Sequence, residues 1–235
     1  MWSGEAAADG TVVARWLFTD RGAIGASAFS ELNLADHVGD SPESVAGNRE
    51  RVLRVLDRHP AEAAWPRFCH SNRVAWVDAG GEAGDVDALV TDVPGVVLTA
   101  LGADCVPLVA VEPRRRLVCS AHIGWRGAAD GLVERLLDSV ESHGGDLSAL
   151  EVWLGPSICG DCYRVPVDRR AAVAAVLPEA EVGEGLDLRR GISARLLEAG
   201  ASVNLVGPCT FESERLFSYR RDGQTGRQAA FVVLL

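Results

Sequence analysis

The sequence predicts a single mixed α/β domain, with strands and helices of the α+β kind. Three observations carry this. Strand-like runs rich in β-branched residues alternate with runs of 3.6-residue periodicity along the chain. No repeat, low-complexity tract or linker divides its 235 residues. Hydrophobic residues at 48% and charged residues at 24% are ordinary for a globular protein, and a chain of this size buries roughly 70% of its extended surface without a disulfide scaffold.

Residues 1–10, MWSGEAAADG, are acidic, lack an apolar run and read as a flexible tail. TVVARWLF (11–18) is the first strand, and the Gly/Ala/Ser-rich stretch 21–40 is a long loop. A helix then starts clearly, with Ser41 as N-cap, Pro42 at the first position and Glu43 in the first turn. Val45, Val52, Leu53 and Leu56 form its apolar stripe; Arg49 lies inside that stripe and directs a charge toward the interior.

RVAWV (73–77) is a strand, and residues 80–88 are a loop. VVLTA, VPLVAVE and RLVCSA form three β-rich runs between 96 and 121, the last two joined as a hairpin by Glu112–Arg115. Ala128, Leu132, Val133, Leu136, Leu137 and Val140 predict one amphipathic helix over 127–142, ended by Gly144-Gly145. EVWLG (151–155) returns to strand and PSICGDCYRVP is a loop. Helices over 168–177 and 187–199, a strand at SVNLV and a last strand at AFVVLL complete the chain.

With 23 Lys+Arg against 33 Asp+Glu, the net charge of −10 disfavours non-specific binding to nucleic acid. Every basic residue is Arg, so an anion site must use guanidinium groups or backbone N–H, and Schiff-base chemistry on a lysine is excluded. No apolar run approaches the ~18 residues of a membrane helix. The N-terminus lacks the apolar core of a secretory leader. Cys69, Cys105, Cys119, Cys159, Cys162 and Cys209 are therefore expected as free thiols or metal thiolates in a reducing, cytoplasmic setting.

Reading Glu112–Arg115 as a two-residue connection centred between Pro113 and Arg114 puts Cys105 directly opposite His122. Opposed Cβ atoms lie ~4.5–5.5 Å apart, close enough for a thiolate and an imidazole to share a metal ion. Candidates for a third ligand are few. His70 precedes a strand in an apolar-aromatic context, His37 lies in a loop, and His59 and His143 stand at helix ends where capping accounts for them. Cys159-Gly-Asp-Cys162 is a C-x-x-C without a partner pair at zinc-knuckle spacing; it reads as structural, with a redox or second-metal role as the alternative.

Asp104, beside Cys105, is placed to orient the site. Arg126 stands at the start of the 127–142 helix, where free N–H groups favour anions. Arg49 offers a rigid fork suited to phosphate or carboxylate. FSYRRDGQTGR (217–227) reads as a solvated loop despite its three Arg.

The segments LGADCVPLVAVEP, CSAHIGWRGAADG, LNLADHVGDSPESVAGNR and LFSYRRDGQTGR resemble the YfiH-like family of laccase-domain proteins, labelled multicopper polyphenol oxidases and also assigned purine nucleoside chemistry. The match runs from about Phe18 to the C-terminus, and the A-D-C and A-H-x-G-W-R-G blocks make it specific. The resemblance implies a mixed α+β domain with a central mixed sheet flanked by helices around a cleft. It implies zinc on His70, Cys105 and His122, with Arg49 contacting the substrate. Arg49 and Arg126 would then neutralise phosphate.

The implied activity is phosphorolysis of adenosine, inosine, guanosine or methylthioadenosine to the base and (methylthio)ribose 1-phosphate, together with deamination of adenosine. Purine nucleosides and phosphate are the implied partners, with neither nucleic acid nor membrane, in a monomer or weak dimer. Alternatives are a hydrolase editing peptidoglycan precursors, a copper-dependent polyphenol oxidase and a non-catalytic metal-binding partner protein. Five His and a single Met fall short of the roughly ten His of a multicopper centre, although copper outcompetes zinc at most N/S sites and could give weak oxidation in vitro. Two departures from the family pattern stand out: Phe68-Cys69-His70 replaces the usual Gln-Val-His, and Arg21–Ser27 replaces a Gly-Gly-Val-Ser-x-Gly loop.

Overall fold

In the computed structural model, which describes residues 1–25, 27–29 and 31–235, the run Gln228–Leu234 (β14) is buried at every position. Alternating side chains explain this. Ala229, Phe231 and Val233 face one core cluster, and Ala230, Val232 and Leu234 face another. A strand apolar on both faces must lie between two layers, and β14 is an inner strand of a six-stranded mixed sheet. Its order is β1 (Trp2–Ala8), β2 (Thr11–Phe18), β14, β7 (Val97–Gly102), β3 (Ala63–Trp65) and β5 (Gly81–Glu82).

A second mixed sheet packs on it, in the order β13 (Ser202–Leu205), β10 (Glu151–Leu154), β8 (Val106–Glu112), β9 (Leu117–Ile123), β6 (Ala88–Thr91) and β4 (Val74–Trp76). Between the sheets Leu98, Val232 and Trp16 meet Val109, Val111 and Trp153. On the outer face of the first sheet lies α1 (Pro42–Val55), which buries Val52 and Leu53. The outer face of the second is covered by α3 (Leu132–Ser142), α4 (Val167–Ala174) and α5 (Leu188–Glu198). A ribbon of β11 (Glu181–Val182) and β12 (Gly185–Leu186) and two short helices, α2 (Trp125–Ala129) and α6 (Tyr219–Asp222), complete the elements. The expected mixed α/β domain is thus formed, with its strands divided between two sheets. Among the described residues no helix is long and apolar enough to cross a membrane.

Several elements differ from expectation. The N-terminal segment is not a tail: Trp2–Ala8 pairs antiparallel with β2 through an Asp9-Gly10 turn in which both residues have positive φ. Asp-Gly is a strong hairpin signal, outweighed in the sequence by the weak apolar character of an edge strand. The helix expected over 127–142 is two helices, because Gly131 takes φ +80° at the start of α3. The loop expected over 80–88 contains β5 and leads directly into β6. Ala26 and Ser30, in the long loop expected over 21–40, lie outside the described residues.

The β8–β9 connection has four residues, Pro113 to Arg116, rather than two. Pro107, not Cys105, therefore stands opposite His122. A shift of two residues preserves the face on which a side chain lies, so Cys105 reaches His122 diagonally from just before β8.

Candidate metal centre

Cys105 lies in the three-residue connection by which the chain passes from β7 in the first sheet to β8 in the second. The turn is tight, and Asp104 takes φ +113°. Its buried carboxylate accepts hydrogen bonds from Thr210 Oγ1 at 2.6 Å, Ser218 Oγ at 2.7 Å and the Arg220 backbone N–H at 2.7 Å. Burial raises the Asp104 carboxyl above its ordinary range, against the pull of these bonds. Asp104 therefore fastens the segment 210–220 behind Cys105 and makes none of these bonds to a ligand side chain.

His122 comes from β9, and His70 from the loop before β4, where it takes φ +59°. Conformations of this kind persist only where the surroundings over-determine them, and here Asp87 does so. Its fully buried carboxylate accepts from the backbone N–H of Cys69 (3.3 Å), His70 (3.1 Å) and Ser71 (2.6 Å), and from the Ser71 hydroxyl (2.8 Å). It also lies 2.9 Å from His122 Nδ1. One carboxylate thus sets the His70 loop and the His122 ring, and a proton held on Nδ1 leaves Nε2 free for a metal. Burial alone would raise Asp87, but the bonds from His122 and Ser71 hold it well below the ordinary carboxylate range.

The ligating atoms of His70, Cys105 and His122 lie within 4.8 Å of one another. Cys105 Sγ is 3.8 Å from His70 Nε2, and the two imidazole rings are nearly perpendicular at 4.8 Å. Burial would push the Cys105 thiol up, yet His122, by charge and hydrogen bond, and then His70 bring it down to about 6. His122, which burial would lower, is raised to about 9 by the Cys105 thiolate and Asp87. The pair favours a thiolate facing a protonated imidazole, and a divalent cation between the same atoms would displace the Nε2 proton and supply the positive charge in its place. Two imidazoles and one thiolate suit zinc, with a fourth tetrahedral position open.

Gly124 closes the floor of the site. A Cβ there would stand 2.6 Å from His70 Cδ2 and 3.0 Å from Cys105 Sγ. Gly124→Ala is therefore expected to displace both ligands and weaken metal binding by about tenfold or more, measured by competition with a chromogenic chelator.

The side chains of His70, Cys105 and His122 open into a cavity of about 390 Å³, within the range of small-molecule sites. Phe68, Trp125, Tyr163 and Tyr219 supply aromatic wall, and Arg169, Arg220 and Arg227 bring positive charge. Arg169 stacks on Trp125 at 4.4 Å and Arg220 on Tyr163 at 5.0 Å. Among the described residues none of these three arginines has a carboxylate within ion-pair distance. The segment 217–227 is thus part of the cavity wall.

Arg49 and Arg126 do not line this cavity. Arg49 lies 3.9 Å over the Trp65 ring, donates to Leu34 O at 3.0 Å and pairs with Asp36 at 3.2 Å. It therefore grips the loop carrying His37, which does line the cavity. Arg126 is exposed and stacks on the Trp125 ring at 4.8 Å. His59 caps the short helix Pro60–Glu62, and His143 ends α3 and stacks on Trp76. Sequence reasoning missed Asp87 and Arg169; the one local signal for Asp87 is an acidic residue abutting the apolar run Ala88–Val90.

The family model described as multi-copper polyphenol oxidoreductase laccase matches residues 15–235. A protein of Streptomyces coelicolor named purine nucleoside phosphorylase is 41% identical over 229 residues, covering 92% of this chain and 94% of its own. One of the same name from Streptomyces griseus is 39% identical over 232 residues, 94% of each chain. Among solved structures, the Bacillus licheniformis hypothetical protein YfiH superposes with a TM-score of 0.86 at 27% identity, covering 94% of this chain and 93% of that one. YlmD from Geobacillus stearothermophilus does so with 0.84 at 30% identity, covering 94% and 91%.

Proposed function

Because this chain belongs to the multi-copper polyphenol oxidoreductase laccase family, whose similar members include proteins named purine nucleoside phosphorylase, we propose that it is a metal-dependent purine nucleoside phosphorylase. The observation that carries this reading is the junction of a His/Cys/His donor set with an aromatic cavity lined by three arginines that, among the described residues, have no carboxylate within ion-pair distance. His70, Cys105 and His122 hold zinc, which when bound supplies Lewis-acid stabilisation of developing negative charge.

The chain's own residues do the rest. The aromatic side chains bind the purine, and Arg169, Arg220 and Arg227 collect phosphate in a protein whose overall charge repels it. Held in line, a phosphate oxygen forms the bond to C1′ as the bond from C1′ to the purine nitrogen breaks, and the electron pair leaves with the base. Arg49 acts from behind by holding Asp36 and so the His37 loop, and Arg126 acts by packing on Trp125. Adenosine deamination uses the same cavity, with water in place of phosphate: its oxygen bonds to C6, the bond from C6 to the exocyclic nitrogen breaks, and that nitrogen takes up a proton and leaves as ammonia. The multicopper reading lacks donors, since His59 and His143 are engaged at helix ends.

The test is incubation of the zinc-loaded chain with adenosine, inosine, guanosine and methylthioadenosine, with and without phosphate. Phosphate-dependent release of base and ribose 1-phosphate is expected, with inosine formed from adenosine when phosphate is omitted. Absence of the free base in every phosphate arm would overturn the reading.

A further inference from the structure

Outside the cavity a second group of metal-ligating side chains converges. The ligand atoms of Cys159, Cys162, Cys209 and Glu212 all lie within 4.8 Å of one another. They come from two loops far apart in sequence, one between β10 and α4 and the other between β13 and α6. The loops meet through a bridge between Ser157 and Cys209 and through the Thr210 N–H bonded to Ser157 O at 3.1 Å. A turn in which the N–H groups of Cys162 and Tyr163 both reach Cys159 O brings the two sulfurs of the C-x-x-C to one side.

Two further contacts concern the donor atoms themselves. The Cys159 N–H donates to Cys209 Sγ at 3.3 Å, which orients that sulfur, and Cys162 Sγ lies 3.5 Å from Glu212 Oε1. The guanidinium of Arg221 binds the carbonyls of Thr210, Phe211 and Ser213, holding the Cys209–Glu212 loop in place. A disulfide would use two of the sulfurs and leave the third thiol and the carboxylate without a role. A tetrahedral ion uses all four donors.

We propose that Cys159, Cys162, Cys209 and Glu212 form a second, structural zinc site that clamps these two loops together. Three thiolates and a carboxylate make a closed four-ligand set, in contrast to the open set of His70, Cys105 and His122. Zinc–sulfur bonds of ~2.3 Å place neighbouring tetrahedral ligands roughly 3.7 Å apart, so the side chains need contract by about 1 Å or less. Binding releases the thiol protons to solvent as the bonds to zinc form, with no change of oxidation state.

The consequence reaches the cavity. The first loop carries Ile158 and Tyr163, and the second leads into Tyr219 and Arg220, all of which line it. Zinc at the second site thus cross-links two parts of the cavity wall from behind. The clamp does not depend on what the cavity binds.

The experiment is zinc analysis of the full chain purified under reducing conditions without chelator, for the wild type, Cys162→Ser and Cys105→Ser. About two zinc ions per chain are expected for the wild type and about one for each variant. The two variants separate the sites. With cobalt in place of zinc, strong thiolate-to-cobalt absorption should persist in Cys105→Ser and largely vanish in Cys162→Ser. If Cys162→Ser folds poorly, Glu212→Gln, at an exposed position, should bind the second ion less tightly in a chelator titration while keeping the fold. Equal zinc in the wild type and Cys162→Ser, no zinc in Cys105→Ser, or a stoichiometric Cys159–Cys162 disulfide in freshly isolated protein would overturn the proposal.

Discussion

Cys105→Ser is expected to lower phosphorolysis about 10³-fold, since a catalytic metal supplies several kcal/mol of charge stabilisation and each ~1.4 kcal/mol is tenfold in rate. The substitution changes one atom, so the loss reports chemistry rather than packing. Cys105 is the single anionic donor among the three candidate ligands, its thiol drawn down to about 6 by the neighbouring imidazoles. A serine hydroxyl in the same place stays protonated at neutral pH and cannot supply that charge. Metal content at the cavity and turnover should fall together, and the melting temperature should change little. A variant that keeps both the metal and the rate would remove Cys105 from the site.

Asp87→Ala should be the most destabilising change near the cavity. It removes the common acceptor of Cys69, His70, Ser71 and His122 at a position with no solvent exposure. Stripping one partner from a buried charged network costs about 3–5 kcal/mol. In a chain of this size that is on the order of 10 °C in melting temperature. Asp87→Asn keeps the shape but turns one oxygen into a donor facing donors, and should weaken metal binding roughly 10–100-fold.

The pH dependence follows from the direction of the shift. A carboxyl held below its ordinary range in the folded state contributes stability above the unfolded pKa of about 3.9 and loses it as pH falls through the folded value. On the acid side the stability gap between the wild type and Asp87→Ala should therefore stay full through weakly acidic pH and narrow only in strong acid, while toward alkaline pH it should narrow as His122, raised to about 9 in part by Asp87, loses its proton. Calorimetry at a series of pH values checks this. A gap that closes already in weak acid, at about pH 5, would show that the carboxylate is not the common acceptor described.

Parts of this arrangement were legible in the sequence because they depend on local rules. Ser41-Pro42 starts α1, which runs Pro42–Val55 with Ser41 Oγ accepting from the Ser44 N–H. The strands around Cys105 and His122 follow from their apolar runs, and period-two alternation kept the two ligands on one face although the turn is two residues longer than assumed. The hairpin of β1 was written in Asp9-Gly10 but masked by alanines of weak strand character. Asp87 was not legible, because a carboxylate at the head of a strand looks solvated until the loop 69–71 folds over it.

What the sequence by itself determined was the class of fold, most element positions, and the ligand types available to a metal: few histidines, one cysteine on the same face of a hairpin as one of them, and arginine in place of any lysine. Tertiary structure decided which side chains share a space. It divided the strands into two sheets, carried Cys105 across from one to the other, and turned Arg169, Arg220 and Arg227 rather than Arg49 and Arg126 toward the cavity. The physical reason is range: capping, periodicity and turn chemistry act over a few residues. Convergence of residues 70, 87, 105 and 122, or of 159 and 209, depends on the packing of whole layers.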